Sequence, residues 1–230
     1  MDRDNYFSED ELQEKIDRFE SLLLEIERPG IKKLLGYIRK YDFYTAPADW
    51  KYYNAVKGGL LDHTLNVYDC LESKLWEYSD RSWPVVGKEV KLPRESILIT
   101  GLCHGLYKTR LYTNGYRNVK VYDPDVVREE TERGNYAKSD DSGQYVWITE
   151  REYGIDDQFP YGRGEKSVKI IDSFGIKLTG TESMMIRWHS EYDRGGDLRA
   201  TFLNAVEKYP AILALVEANM EAMYYLDVRG

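Results

Sequence analysis

The chain has 230 residues, of which 42% are hydrophobic, which is enough for one substantial core but few for two independent ones. Its formal net charge of -8, from 40 acidic and 32 basic residues, argues against an extended nucleic acid or an anionic membrane as the main partner, while a local basic pocket stays compatible with it. No apolar run approaches the roughly 18 residues of a membrane span, and the N-terminus lacks the basic-then-apolar order of a signal peptide, so we expect a soluble, cytoplasmic protein.

Helical patterns dominate the first half of the chain. Ser8 and Glu11 have the spacing of a capping box, and apolar positions recur at helical spacing over residues 12–26, before a Pro-Gly break. A second helix is predicted over about residues 31–40, an ordered loop over 41–57 and a long helix over about 60–78. A further helix opens at Leu92-Pro93 and is apolar on nearly every side, so we expect it to be central.

The pattern changes between about residues 112 and 160. Residues 118–122 and 144–148 are rich in β-branched and aromatic side chains and are predicted strands, and the charged stretch between them is either a loop or a short exposed helix. Helices are predicted again over about residues 165–174, 181–189, 198–209 and 210–226. We therefore predict a mainly α fold, with one helical-bundle domain over residues 1–230, N-terminal helices at 8–40 and a small β-hairpin insertion at about 112–160.

The three histidines of the chain, His63, His104 and His189, all lie among apolar positions of predicted helices. Any one of them alone is explained as well by a separate, hydrogen-bonded core histidine. Asn219 also lies on an apolar helix face, where a buried amide must find hydrogen-bond partners. We predict that the helices carrying these four residues converge on one cavity.

Four segments around the histidines occur in a characteristic order. They are residues 58–63 (GGLLDH), 99–108 (ITGLCHGLYK), 159–167 (FPYGRGEKS) and 186–189 (IRWH), followed by a Tyr-Pro pair at 209–210 before the last helix. In wording and order they resemble HD-domain phosphohydrolases of bacteria and their phages, whose segments read GGLLxH, LxHDLxK, GHGEKS and RWH. The resemblance covers about residues 41–226 and implies an HD-like helical bundle.

The resemblance implies roles for individual residues. His63 and His104 match the first two metal ligands of HD-domain proteins. Gly105 stands where the Asp of the His-Asp pair is expected, and Asn219 stands where an Asp is expected on the last helix. Arg163 replaces a histidine that is common between two glycines. The residues that match the pattern are Lys108, Glu165, Lys166, Arg187, Trp188 and His189.

These departures change the chemistry that the resemblance implies. In HD-domain hydrolases a divalent cation lowers the pKa of bound water and neutralises the substrate phosphate. Gly105 offers no ligand and Asn219 only a neutral amide, so His63 and His104 are vestigial ligands that hold magnesium or manganese weakly. We expect no cofactor, and a divalent metal (Mn or Mg) only if the chain is an active hydrolase. Arg163 fits a phosphate instead. The other ligand-binding residues that the resemblance suggests are Lys108, Lys166, Arg187, His189 and Asn219.

Three functions remain open at this point. The first is a catalytically inactive HD-like protein that binds a nucleotide or other phosphorylated small molecule, sequestering it in a conflict between phage and host. The second is an active metal-dependent phosphohydrolase acting on nucleotides, with Lys108 as the catalytic candidate. The replacements at Gly105 and Asn219 argue against this function, because they remove two expected carboxylate ligands. The third is a scaffold or inhibitor whose surface binds a protein partner and whose basic residues are ordinary surface charges.

Overall fold

The computed structural model describes residues 5–80, 92–192 and 195–228. Its helices are α1 (Glu9–Leu24), α2 (Ile31–Lys40), α3 (Gly59–Asp80), α4 (Arg94–Cys103), α5 (Pro124–Glu132), α6 (Arg163–Ser173), α7 (Gly180–Trp188), α8 (Asp197–Lys208) and α9 (Ala211–Glu221), which continues as a π-helical turn over Ala222–Leu226. Short 3-10 helices cover Asp42–Tyr44 and His104–Lys108. The strands are β1 (Tyr112–Val121), β2 (Lys138–Asp140) and β3 (Gly143–Ile155). The predicted mainly α fold with a small β insertion is confirmed.

Local side-chain signals determine where several helices begin. The Glu11 amide donates to Ser8 Oγ at 3.2 Å and the Ser8 amide donates to the Glu11 carboxylate at 2.8 Å, so the predicted capping box at α1 is confirmed. Thr179 and Glu182 form a second capping box at α7, the helix that leads to His189. Each cap satisfies amide groups that have no partner inside the helix, which stabilises that helix start.

The chain divides into two compact units. The first, called the helical unit here, contains the residues up to Tyr112 and from Ile155 onward, and the second, the insertion unit, is Thr113–Gly154. In the helical unit one apolar cluster joins α1, α2, α3 and α4 around side chains such as Phe19 and Leu102. A second cluster joins the later part of α3 to α7 and α9. Because α3 contributes to both clusters, it lies at the centre of this unit.

The predicted central helix is confirmed, since α4 buries nearly all of its residues from Ser96 to Cys103. Such burial explains why its sequence is apolar on most sides instead of amphipathic. None of the described helices is at once long enough and apolar enough to cross a membrane.

The insertion unit contains a three-stranded sheet in the order β1-β3-β2, with β2 antiparallel to β3 and Ser139 opposite Gln144. The predicted strand at 144–148 lies inside β3, and the one at 118–122 overlaps the end of β1, which begins six residues earlier and ends at Val121. The charged stretch between the predicted strands contains α5, which begins where the Asp123 carboxylate accepts from the amides of Asp125 and Val126. The insertion therefore has one strand more than the predicted hairpin. The sequence did not predict β2, because its three residues are all exposed and show no alternation of apolar and polar side chains.

Candidate functional site

The three histidines meet inside the helical unit. His63 lies on the first turn of α3, His104 directly follows α4, and His189 caps α7; they are 0%, 1% and 2% exposed. The ring centroids of His63 and His104 are 5.6 Å apart, and those of His104 and His189 are 5.0 Å apart. The predicted convergence is confirmed for these three residues, which form one group, called the histidine cluster here.

Two glycines let the elements of this cluster approach one another. A Cβ atom at Gly59 would lie 2.0 Å from the carbonyl oxygen of Asn54, so the start of α3 packs directly on the preceding loop. A Cβ atom at Gly164 would lie 2.1 Å from the carbonyl oxygen of Ile186, so the start of α6 packs on the end of α7. Any larger residue at either position would push apart elements that carry the site.

The ring nitrogens of His104 and His189 have defined roles. His104 Nδ1 lies 2.7 Å from the carbonyl oxygen of Gly101, and His189 Nδ1 lies 2.8 Å from that of Ile186. Because a carbonyl oxygen only accepts, Nδ1 carries the hydrogen in both rings and Nε2 carries the lone pair. Burial lowers the pKa of His189 to about 3 and holds the pKa of His104 well below its usual range, so both rings are neutral at pH 7.

A carboxylate that follows α9 holds the third histidine. His63 Nδ1 lies 2.6 Å from Asp227 Oδ2, and both side chains are fully buried. Asp227 Oδ1 also accepts from the side-chain amides of Asn54, at 3.1 Å, and Asn66, at 3.0 Å. A carboxylate in this position fixes the orientation of the ring. The Nε2 atoms of His63 and His104 are buried and have no hydrogen-bond partner among the described residues.

Lys108 is a buried cation beside the cluster. It is 3% exposed, and its Nζ donates to the Tyr53 hydroxyl at 3.0 Å. The ammonium also lies 5.0 Å from the ring centroid of Tyr53 and 5.6 Å from that of Tyr107, and these rings contact His63 and His189. Burial lowers the pKa of Lys108 to about 8. Within the described part of the chain, no carboxylate lies at ion-pair distance from this ammonium group.

Two arginines add positive charge at the start of α6. Arg163 is the exposed first residue of that helix and interacts electrostatically with Lys108. The Arg187 guanidinium lies 4.5 Å from the Trp188 ring centroid, and its buried Nη1 has no hydrogen-bond partner among the residues described. A Cβ atom at Gly162 would lie 3.8 Å from Arg187 Nη2, which places this guanidinium beside the helix start. The amino end of a helix also favours an anion.

Two other predicted ligand-binding residues have different surroundings. Lys166 Nζ forms an ion pair with Asp157 at 2.6 Å, and Lys166 lines a separate cavity of the helical unit. Asn219 is buried on α9, and its amide donates to Met223 Sδ at 3.4 Å. The carboxylate that contacts a histidine comes from Asp227, beyond the position where the resemblance places an acidic ligand.

The histidine cluster offers nitrogen donors to a cation. Imidazoles that share one ion, at about 2.0–2.1 Å per nitrogen, have ring centroids roughly 5 Å apart, close to the 5.6 and 5.0 Å found here. As the side chains are placed, the described residues contain no group of three His, Cys, Asp or Glu that could hold a metal ion. Gly105 adds no donor, so this set suits a nitrogen-preferring ion better than magnesium or manganese.

Comparisons of the chain with protein-family models, with curated proteins and with solved structures found no match. The resemblance to HD-domain hydrolases therefore rests on the four sequence segments around the histidines.

Sequence reasoning missed the residues that surround His63. Tyr53 and Asn54 lie in the segment predicted only as an ordered loop, and Asp227 follows the last predicted helix. One signal was present: Asp62 and Asn66 put polar side chains four residues apart on a helix turn that is otherwise largely apolar. In the structure Asp62 Oδ2 accepts from Asn54 at 2.8 Å and from Asn66 at 3.2 Å, which extends the network behind His63.

Proposed function

We propose that the histidine cluster and Lys108 form the inner part of a site that binds a nucleotide or another phosphorylated small molecule without hydrolysing it. The observation that carries this proposal is the environment of Lys108, whose Nζ has the Tyr53 hydroxyl as partner and no carboxylate at ion-pair distance among the described residues. Burying an ammonium group costs free energy because the group loses its hydration, and the Asp49 and Asp227 carboxylates that act on Lys108 do so from beyond ion-pair distance. A bound phosphate would supply the negative charge and accept the remaining N–H groups.

Arg163 and Arg187 support the same ligand chemistry. A guanidinium donates two parallel hydrogen bonds to phosphate, and the Nη1 of Arg187 is a buried donor without a partner among the described residues. Arg163 is exposed, so it would contact the ligand from the solvent side, whereas Lys108 would contact the part that is buried. The amino end of α6 adds its own preference for an anion.

The proposed lack of hydrolysis rests on the residues at the expected ligand positions. Gly105 has no side chain to offer, and the Asn219 amide donates to Met223. The Asp227 carboxylate accepts from His63 and from two asparagine amides, so its lone pairs are largely committed. Without free carboxylates, a cation that activates water for attack on phosphorus would be bound weakly.

Replacing Arg163 by alanine should weaken the binding of a phosphorylated ligand about tenfold or more, because a charge-assisted hydrogen bond contributes roughly 1.5–3 kcal/mol. Nucleotides and cyclic nucleotides would be screened by thermal shift, and the affinity of the best compound measured by calorimetry. Arg199→Ala, which removes an exposed arginine of α8, is the matched control and should leave the affinity unchanged. Chromatography of the recovered compound should show no product.

The outcomes separate the proposal from the protein-scaffold alternative. If no phosphorylated compound binds, or if the Arg163→Ala and Arg199→Ala proteins bind it equally well, the ligand proposal is wrong. The remaining hypothesis would then be a function on the surface of the chain, such as binding a protein partner.

A divalent cation at the histidine cluster is the second candidate, and the ring nitrogens favour it. A histidine that ligates a metal usually donates its other N–H to a carbonyl or carboxylate oxygen. The Nδ1 atoms of all three histidines have such oxygen partners, while Nε2 of His63 and His104 is buried without one among the described residues. A firmly held ion would support an active metal-dependent phosphohydrolase, with Lys108 beside the substrate phosphate.

We expect less than one equivalent of any divalent metal in protein purified without chelators, because the carboxylate ligands are missing. Elemental mass spectrometry of the purified protein measures this directly, with His63→Gln and His104→Gln proteins as controls whose metal content should match the wild type. One equivalent of an ion that both substitutions abolish, together with product formation when manganese is added, would establish the hydrolase candidate instead.

A further inference from the structure

A second cavity, of about 370 Å³, opens on the helical unit between α2, the residues that follow the His104–Lys108 helix, and α6. Its volume falls in the range of about 300–1,000 Å³ that is usual for small-molecule sites. Three of the described residues that line it are cationic, namely Arg110, Lys166 and Lys169, and none of them is acidic. In a chain whose formal net charge is -8, a cavity of this composition favours an anionic ligand.

Two of these three cations are available to a ligand. Lys166 is neutralised by its ion pair with Asp157. Neither Arg110 nor Lys169 has a carboxylate at ion-pair distance among the described residues, and the Arg110 guanidinium lies 4.7 Å from the ring centroid of Tyr41. The N–H groups of a guanidinium that stacks on an aromatic ring point outward in the plane of the guanidinium, so they can still donate to an anion.

The backbone at Arg110 is strained. Its φ angle is 60°, in the left-handed region that favours glycine, and its amide donates to Asp42 Oδ1 at 2.7 Å. An arginine in this conformation costs free energy that a glycine would avoid, and such strain is concentrated at functional sites. Here the strained residue is one of the two whose side chains bring an unneutralised charge to the cavity.

Two exposed aromatic rings supply the apolar part of the lining. Phe159 is 65% exposed and Tyr161 is 45% exposed, and their rings are nearly parallel, with centroids 6.1 Å apart and an interplanar angle of 18°. Exposed rings of this kind offer flat faces on which the planar ring of a ligand can stack.

From these contacts we propose that the cavity binds a small aromatic anion of the kind of a purine nucleoside monophosphate. The base stacks on Phe159 or Tyr161, and the phosphate contacts Arg110 and Lys169. This site is formed by residues other than those of the histidine cluster, and it does not depend on the function proposed for that cluster.

The experiment uses adenosine 5′-monophosphate as the probe, titrated by calorimetry into the Arg163→Ala protein, in which the first site is weakened. We expect one equivalent to bind, and adenosine or inorganic phosphate alone to bind at least tenfold more weakly. In the same background Arg110→Gly should weaken the affinity at least tenfold while leaving the melting temperature unchanged or raised, since glycine relieves the strain and keeps the amide that donates to Asp42. Lys169→Gln should weaken it similarly.

Lys33→Gln, which removes an exposed lysine of α2, is the matched control and should leave the affinity unchanged. The assignment is overturned if the Arg163→Ala protein does not bind the probe, or if Arg110→Gly and Lys169→Gln bind it as tightly as their background. Binding by the wild type that Arg163→Ala abolishes would place the nucleotide at the histidine cluster, which also overturns this assignment and leaves the first proposal intact. If Arg110→Gly does not fold, the Lys169→Gln result decides.

Discussion

Replacing Asp227 by alanine is expected to lower the free energy of unfolding by about 2–4 kcal/mol, because leaving a buried polar group without its partner costs about 1–3 kcal/mol. The Asp227 carboxylate accepts from His63, Asn54 and Asn66, and the Asp227 and His63 side chains are both fully buried. Without it, His63 Nδ1 would lose its acceptor, and the Asn54 and Asn66 amides would each keep only their bond to Asp62 as a side-chain partner. Urea denaturation of the wild-type and variant proteins at pH 7 measures the difference.

Two further variants separate this network from a general effect of losing charge. Asp172→Ala removes an exposed carboxylate near the end of α6 and should change the free energy of unfolding by less than about 0.5 kcal/mol. Asp227→Asn keeps one acceptor oxygen but presents an amide hydrogen where the carboxylate accepted one, so an intermediate loss is expected. Equal stability of the Asp227→Ala and Asp172→Ala proteins would show that the network around His63 does not contribute to folding.

The helical part of the fold could be predicted because each helix shows its pattern within a few turns of sequence. The capping box of Ser8 and Glu11 and the all-round apolar character of α4 are both local signals, and both are found in the structure. The exposed strand β2 has three residues, so it gives no periodicity, and its pairing with β3 is decided by contacts between strands. Local patterns therefore predict the elements better than they predict their pairing.

The candidate site was predictable only in part, for the same reason. The segments around His63, His104 and His189 led to the histidine cluster, but the contact between His63 and Asp227 joins residues 164 positions apart and leaves no trace in either segment. Lys166 was placed in the same pocket as Arg163 from its position in a motif. In the structure its ammonium group pairs with Asp157, and its side chain lines the second cavity. Asp157 precedes α6 by six residues, and nothing in the motif indicates that it is the partner of Lys166.

Lys108 links the fold to the proposed function, because a site that binds an anion holds its cations in place before the ligand arrives. The folded protein keeps this ammonium group buried, beside the rings of Tyr53 and Tyr107. Its folded pKa of about 8 lies below the ordinary value of 10.5. At about 1.36 kcal/mol for each unit of pKa, the protonated lysine destabilises the folded state by about 3 kcal/mol.

Replacing Lys108 by methionine is therefore expected to stabilise the ligand-free protein by about 2–3 kcal/mol at pH 7, after roughly 1 kcal/mol is allowed for the lost hydrogen bond to Tyr53. Below about pH 8 the lysine is protonated in both states, so the full penalty applies. Between about pH 8 and 10.5 the unfolded chain binds more protons than the folded one, so the wild type gains stability as the pH rises and the advantage of the variant disappears. Urea denaturation of both proteins at pH 7 and pH 10 in phosphate-free buffer measures this difference, with Lys33→Met as the exposed control.

The Lys108→Met protein should also lose affinity for phosphorylated ligands, so that stability and binding change in opposite directions. A Lys108→Met protein that is no more stable than the wild type at pH 7, with a difference that does not vary with pH, would mean that Lys108 is not an uncompensated buried cation.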